Sequence, residues 1–113
     1  SYAEIDTYVF RPNLVIVNID ENTEEDPGAY IQVGKSKSCE IVVEGELPSD
    51  LTSKITLTLS CSKQDKITLL ENNTPRPFPF EFSASSIPSL SIKGKEPSDN
   101  YKDITLSLTT SVG

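Results

Sequence analysis

Oxygen-bearing side chains recur at every second position of one acidic segment, which we call the acidic loop. Asn18, Asp20 and Asn22 carry the alternation, and Glu25 and Asp26 follow a few residues later. As the chain curls, these oxygens can converge on one point, and calcium takes about six to eight oxygen ligands of this kind. The acidic loop is therefore a candidate calcium site. The interpretation that we favour is a solvated turn, in which Asn and Asp serve as turn formers.

Other chemistry finds little support in the residue types. The chain contains no His, so a Ser or Cys nucleophile would need Lys or a carboxylate as its base. No Gly-x-Ser-x-Gly motif is present, and none of the scattered glycines forms a phosphate-binding loop. Two Cys without His leave the usual four-ligand zinc site incomplete. The sequence therefore predicts a protein that is not an enzyme and that has no cofactor, unless the acidic loop binds calcium.

The two cysteines allow a geometric prediction. A hairpin of residues 39–44 with residues 54–61, matched on their apolar faces, places Cys39 opposite Cys61. Directly opposed residues have Cβ atoms about 4.5–5.5 Å apart, whereas a disulfide needs about 3.5–4.5 Å. The spacing thus leaves two interpretations open, a somewhat stretched disulfide or two small buried hydrophobic residues.

The elements that would position these groups are strands. Apolar residues alternate with Ser, Thr or Lys in residues 54–60, 90–93 and 102–109, which is the pattern of a strand with one face in a core. Turn residues fall at short, regular intervals. We therefore expect an all-β protein, an immunoglobulin-like antiparallel β-sandwich of about eight or nine strands that forms a single domain over residues 1–113. The residues expected inside are Ile55, Leu57, Leu59, Ile92, Ile104, Leu106 and Leu108.

Two further segments add strands to this pattern. Residues 14–19 are apolar on both faces apart from one Asn, which predicts a strand covered on each side after a break at residues 11–13. Phe78, Phe80 and Phe82 share one face at strand spacing, which predicts core residues of an edge strand beside Pro79. The same rings could instead line a sugar-binding platform, although such platforms usually use Trp and Tyr.

Composition limits the partners. The net charge is −7, which disfavours nucleic acid and anionic membrane surfaces because both attract basic faces. No apolar run approaches the roughly 20 residues that cross a bilayer, so we expect no membrane insertion. An acidic surface rich in Ser and Thr is typical of secreted and surface-displayed β modules. A chain without Met is either a processed product or a piece of a longer protein, and we favour the piece. The surface composition leads us to expect an extracellular or cell-envelope location.

Several segments also resemble one known family. Residues 14–22 resemble the strand and calcium loop that begin the immunoglobulin-like middle domain of protein-arginine deiminases. Residues 54–72 are similar to that domain's alternating strand, short turn and following strand, and residues 90–110 are similar to its last hairpin. Modules of this kind also recur in large bacterial extracellular proteins. The resemblance covers most of the chain from residue 14 onward.

The resemblance implies a fold and a site. The implied fold is an immunoglobulin-like sandwich, and Asn18 and Asp20 match calcium-ligand positions of the family, whereas Asn22 stands where the family has Asp. The family's deimination activity belongs to a separate domain, so the resemblance does not imply that activity here.

These observations predict a non-catalytic structural or interaction module of a larger extracellular or envelope protein. Its partner would be an unknown protein or a neighbouring domain of the same chain. The first alternative is a calcium-binding regulatory or adhesion module that uses the acidic loop. The second is a carbohydrate-binding module that uses the phenylalanine face.

Overall fold

Strands make up nearly all of the regular structure. The structure, a computed structural model, describes residues 9–21, 29–97 and 104–111. Its elements are β1 (Arg11–Ile16), β2 (Asp20–Glu21), β3 (Ala29–Tyr30), β4 (Ser36–Glu44), the helical turn α1 (Ser49–Thr52), β5 (Thr56–Cys61), β6 (Ile67–Glu71), β7 (Thr74–Arg76), β8 (Phe80–Ser83), β9 (Leu90–Gly94) and β10 (Leu106–Thr110).

Two antiparallel sheets form the molecule. One sheet has five strands in the order β1-β4-β9-β6-β7, the other has three in the order β10-β5-β8, and β2 and β3 form a separate ribbon. The strands of the two main sheets pair antiparallel throughout. The predicted all-β antiparallel sandwich is confirmed, with eight strands in its two main sheets. Its immunoglobulin-like kinship stays a prediction.

The core lies between the central strands of the two sheets. Its buried members are Ile55, Leu57, Leu59, Cys61, Ile67, Leu69, Phe78, Phe82, Leu90 and Ile92. Four of the seven residues expected inside are among them, and Leu57, Leu59 and Ile92 are fully buried. The other three, Ile104, Leu106 and Leu108, pack against this core but are half-buried. They lie in or just before β10, and an edge strand has a neighbour on one side only.

The first strand departs from the prediction in two ways. β1 begins at Arg11 and runs through Pro12, where a break was expected. Proline is tolerated there because β1 is the edge strand of its sheet and needs hydrogen bonds on one side only. The expected cover on both faces is also wrong, because Val15 is 42% exposed on the outer face. Among the described residues, a protein layer covers only the inner face of the five-stranded sheet.

The phenylalanine face belongs to the core. β8 is an edge strand of the three-stranded sheet, and Phe80 and Phe82 pack with ring centroids 5.9 Å apart. Phe78 and Phe82 are buried, which confirms the core interpretation. The buried rings of Phe78 and Phe82 are not available to stack on a sugar, and glycan binding by the protein stays a prediction.

Candidate functional site

The predicted hairpin between the cysteine-bearing strands is wrong. β4, which carries Cys39, pairs with β1 and β9 in the five-stranded sheet, whereas β5, which carries Cys61, pairs with β10 and β8 in the other. Cys39 lies opposite Ile16 on β1 and opposite Leu90 on β9. Cys61 lies opposite Leu106. The connection between β4 and β5 includes α1 and takes the chain from one sheet to the other, so the two strands are not neighbours.

Both cysteines are free thiols, so the disulfide interpretation is not supported and the interpretation as small apolar residues fits. Burial raises the pKa of the Cys39 thiol to about 11. The pKa of Cys61 is also raised, chiefly by burial and further by the charge of Asp65, while a hydrogen bond from the backbone of Lys63 opposes the shift. Because the thiolate is the nucleophilic form, the raised pKa values make both thiols less nucleophilic than an exposed cysteine.

The described part of the acidic loop is a turn followed by a short ribbon. Asn18 is exposed and has a φ of +55°, a conformation that Asn adopts more readily than most residues. The backbone of Asp20 pairs with Tyr30 in the β2–β3 ribbon. The predicted ligands Asn22, Glu25 and Asp26 lie outside the described residues.

The metal prediction therefore stays a prediction. Within residues 9–21, 29–97 and 104–111, no three His, Cys, Asp or Glu residues are grouped so that they could hold a metal ion. At Asn18 the backbone conformation fits the turn-forming role that we favour from the sequence.

An apolar cavity opens between the sheets beside the ribbon. Its volume is about 310 Å³, at the lower end of the range for small ligand pockets. Its described lining is Ile16, Ile19, Tyr30, Ile31, Val33, Lys66, Ile67, Ile92, Gly94, Glu96, Pro97, Ile104 and Leu106. One lysine and one glutamate stand among walls that are otherwise mostly hydrophobic. The cavity is therefore suited to an apolar group. Sequence periodicity gave no sign of it, because its lining residues come from five separate segments of the chain.

Exposed valines mark the outer face of the β1–β4 pair. Val15 and Val42 are 42% and 49% exposed. Val15 pairs with Glu40, and Asn13 pairs with Val42, so the two valines are diagonal neighbours on one face of the sheet. We call this pair the valine surface. The break in alternation at Val42-Val43 was the available sequence signal, since alternation alone would place a polar residue at one of these positions.

Comparisons with known proteins do not assign a family. No protein-family model matches the sequence, no curated protein is significantly similar to it, and no solved structure matches the chain. The resemblance to the deiminase middle domain thus stays a prediction. Among the described residues, no helix has the length and apolar character needed to cross a membrane.

Proposed function

We propose that the chain is a non-catalytic structural or interaction module of a larger extracellular or envelope protein, and that the valine surface contacts a partner protein or a neighbouring domain. The proposal rests on the exposure of neighbouring apolar residues. Among the large apolar residues that are exposed in the described chain, Val15 and Val42 are diagonal neighbours on the outer face of the β1–β4 pair. Clustered apolar exposure is typical of contact surfaces, whereas single exposed residues are ordinary.

The chemistry of the core supports the non-catalytic part of this proposal. No polar or charged residue is buried in the described part of the chain. Acid, base and nucleophilic groups in enzymes are commonly tuned by partial burial beside a charge. Here burial acts on two thiols and keeps both protonated, which lowers their nucleophilicity.

Retention of a partner tests the proposal. The purified chain is immobilised and exposed to the secreted and envelope fractions of its source, and bound proteins are identified. We expect retention to fall at least about tenfold for the double variant Val15→Lys/Val42→Lys and to stay unchanged for Ile87→Lys, a control whose residue is similarly exposed at 43%. Both variants should change the free energy of unfolding by less than about 0.5 kcal/mol.

Two outcomes would contradict it. Equal retention by both variants would remove the valine surface from the interaction. A loss of stability above about 2 kcal/mol in the double variant would show that the valines serve the fold instead.

Calcium binding remains the alternative, and it rests on the sequence and the family resemblance. Titration calorimetry, together with melting temperatures measured with calcium and with chelator, separates it from the main proposal. A true site would stabilise the protein by about 2.7 kcal/mol at a hundredfold excess of free calcium over its dissociation constant, and Asp20→Ala would abolish that gain. We expect a shift too small to measure, because Asn18 and Asn22 supply no negative charge.

A further inference from the structure

β10 forms an edge of the sandwich that has no further strand beside it in the described part of the chain. β10 is the outer strand of the three-stranded sheet and pairs with β5 alone. The amides of Ser62 and Ser111 donate to the carbonyl oxygens of Thr105 and Thr56, both at 2.9 Å, so Thr105 and Ser111 face β5. Because successive residues of an antiparallel strand direct their N–H and C=O groups to opposite sides, those of Leu106 and Leu108 face away from β5, where the described chain has no further strand.

This edge also lacks the features that usually block pairing. Natural edge strands are protected by charged residues, proline or bulges. The other three edges follow that rule: β1 contains Arg11 and Pro12, β7 contains Pro75 and Arg76, and β8 contains Glu81. Residues 104–113 contain no charge and no proline, although a quarter of the chain is charged. A second strand can therefore approach β10 without meeting a charged side chain on that strand.

The cavity lies at the same side of the molecule. Leu106 of β10 and Ile16 of β1 both line it, and β1 is the strand of the other sheet that comes nearest to β10. Leu14, Leu106 and Leu108 face inward on these two edge strands and are only half-buried. A strand added beside β10 would cover this apolar area, and one of its inward side chains could enter the cavity.

We propose that the β10 edge binds an extended segment of another polypeptide, with apolar residues at alternate positions, and that the adjoining cavity takes one of those apolar side chains. In strand addition of this type the backbone hydrogen bonds supply affinity and the side-chain pockets supply specificity. This inference rests on the proposed interaction function and names the partner's chemistry. It uses a different surface from the valine surface, so the two can fail separately.

Hydrogen exchange on the whole chain tests the edge. The probe is a synthetic peptide with the sequence of residues 104–111 and a lysine added at each end, because it has the required alternation and remains soluble. At saturation the amides of Leu106 and Leu108 should exchange at least about tenfold more slowly. The amides of Ser107 and Thr109, which already face β5, are internal controls and should change little. No protection, or protection confined to β1, β7 or β8, would overturn the proposal.

Backbone methylation of the probe separates strand pairing from simple apolar adhesion. Two peptides are N-methylated, one on each alternate set of amides. Only one set faces β10, so one peptide should lose at least about tenfold in affinity and the other should keep it within about twofold. Equal behaviour of the two peptides would exclude a hydrogen-bonded strand.

The cavity is tested by narrowing it from its rim. Val33 lines the cavity and is 53% exposed, so Val33→Trp should narrow the cavity without unfolding the protein. The affinity of the variant for the probe peptide should fall at least about tenfold. Ile87→Trp, outside the cavity lining, is the matched control. Equal affinities of Val33→Trp and Ile87→Trp for the probe would show that the cavity does not take part in peptide binding.

The oligomeric state is measured by sedimentation at the same concentrations. A dimer in which the amides of Leu106 and Leu108 are protected without peptide would show that a second copy occupies the edge, and this result would overturn the proposal.

Discussion

The backbone carbonyl of Val9 lies directly against the α-carbon of Gly45, so that a side-chain carbon at position 45 would overlap it. Gly45 also has a φ of +95°. Two requirements therefore meet at one residue, a left-handed backbone and the close passage of the chain segment that leads into β1.

Gly45→Ala should destabilise the protein more than Gly34→Ala. Gly34 has a φ of +85° but nothing within 4 Å of its added carbon, so Gly34→Ala measures the backbone cost alone, about 1–2 kcal/mol. Gly45→Ala adds a clash with backbone and should cost at least about 1 kcal/mol more. Urea unfolding of both variants gives the comparison, and equal costs would show that Val9 moves away freely.

Truncation of a leucine should cost more stability on a central strand than on an edge strand. Leu57 is fully buried on β5, so Leu57→Ala should cost about 3–5 kcal/mol through lost contacts and the cavity that remains. Leu106 is half-buried on β10, so Leu106→Ala should cost less, about 1–2 kcal/mol. Chemical denaturation measures both values. The reverse order would contradict the placement of the core.

The buried thiols should be slow to react. With a pKa of about 11 for Cys39, its thiolate fraction at pH 8 is about a hundredfold below that of an ordinary thiol. Alkylation of Cys39 in the folded protein should be slower than in urea by about that factor, as followed by mass analysis of the digested protein. Equal rates would show that Cys39 is open to solvent.

The same shift predicts how stability depends on pH. The unfolded thiol of Cys39 loses its proton near pH 9, whereas the folded one retains it to about 11. Stability from the buried neutral thiol is therefore fully present below about pH 9 and is lost as the pH rises through 11. The stability of the native chain relative to Cys39→Val should fall by about 1–3 kcal/mol over that range. A constant difference would contradict the raised pKa.

The β6–β7 hairpin should depend on its two-residue turn. Asn72 and Asn73 have φ values of 48° and 67° between the paired residues Glu71 and Thr74, which is the type I′ geometry that favours Asn-Gly. Asn73→Gly should raise stability by about 0.5 kcal/mol and Asn73→Ala should lower it by about 1 kcal/mol, as measured by thermal unfolding. A loss with glycine would contradict the turn type.

The strands themselves were largely predictable. Alternation located β5, β9 and β10 and gave the inward face of β5 correctly, because side chains of a strand point to opposite faces in turn. The failure at β1 has a simple cause, since an apolar residue such as Val15 looks the same in sequence whether its face is covered by a second layer or exposed to solvent.

The alternation of apolar residues could not predict which strands pair with each other. β4 and β5 have matching apolar faces, and sequence proximity suggested a hairpin that would bring Cys39 to Cys61. Alternation is the same for every strand of a sandwich, so it cannot distinguish a neighbour in the same sheet from a strand in the opposite one.

What the sequence by itself determined is the fold class, the inward faces of β5 and β9 and the chemistry that the residue types make difficult. Only the tertiary structure decided that the chain crosses between sheets after β4, that β10 is left as an uncharged edge, and that Ile16 and Leu106 line one cavity. Those features arise from contacts between residues far apart in the chain. Local periodicity has no information about such contacts, because it records which way a side chain points and not what it meets.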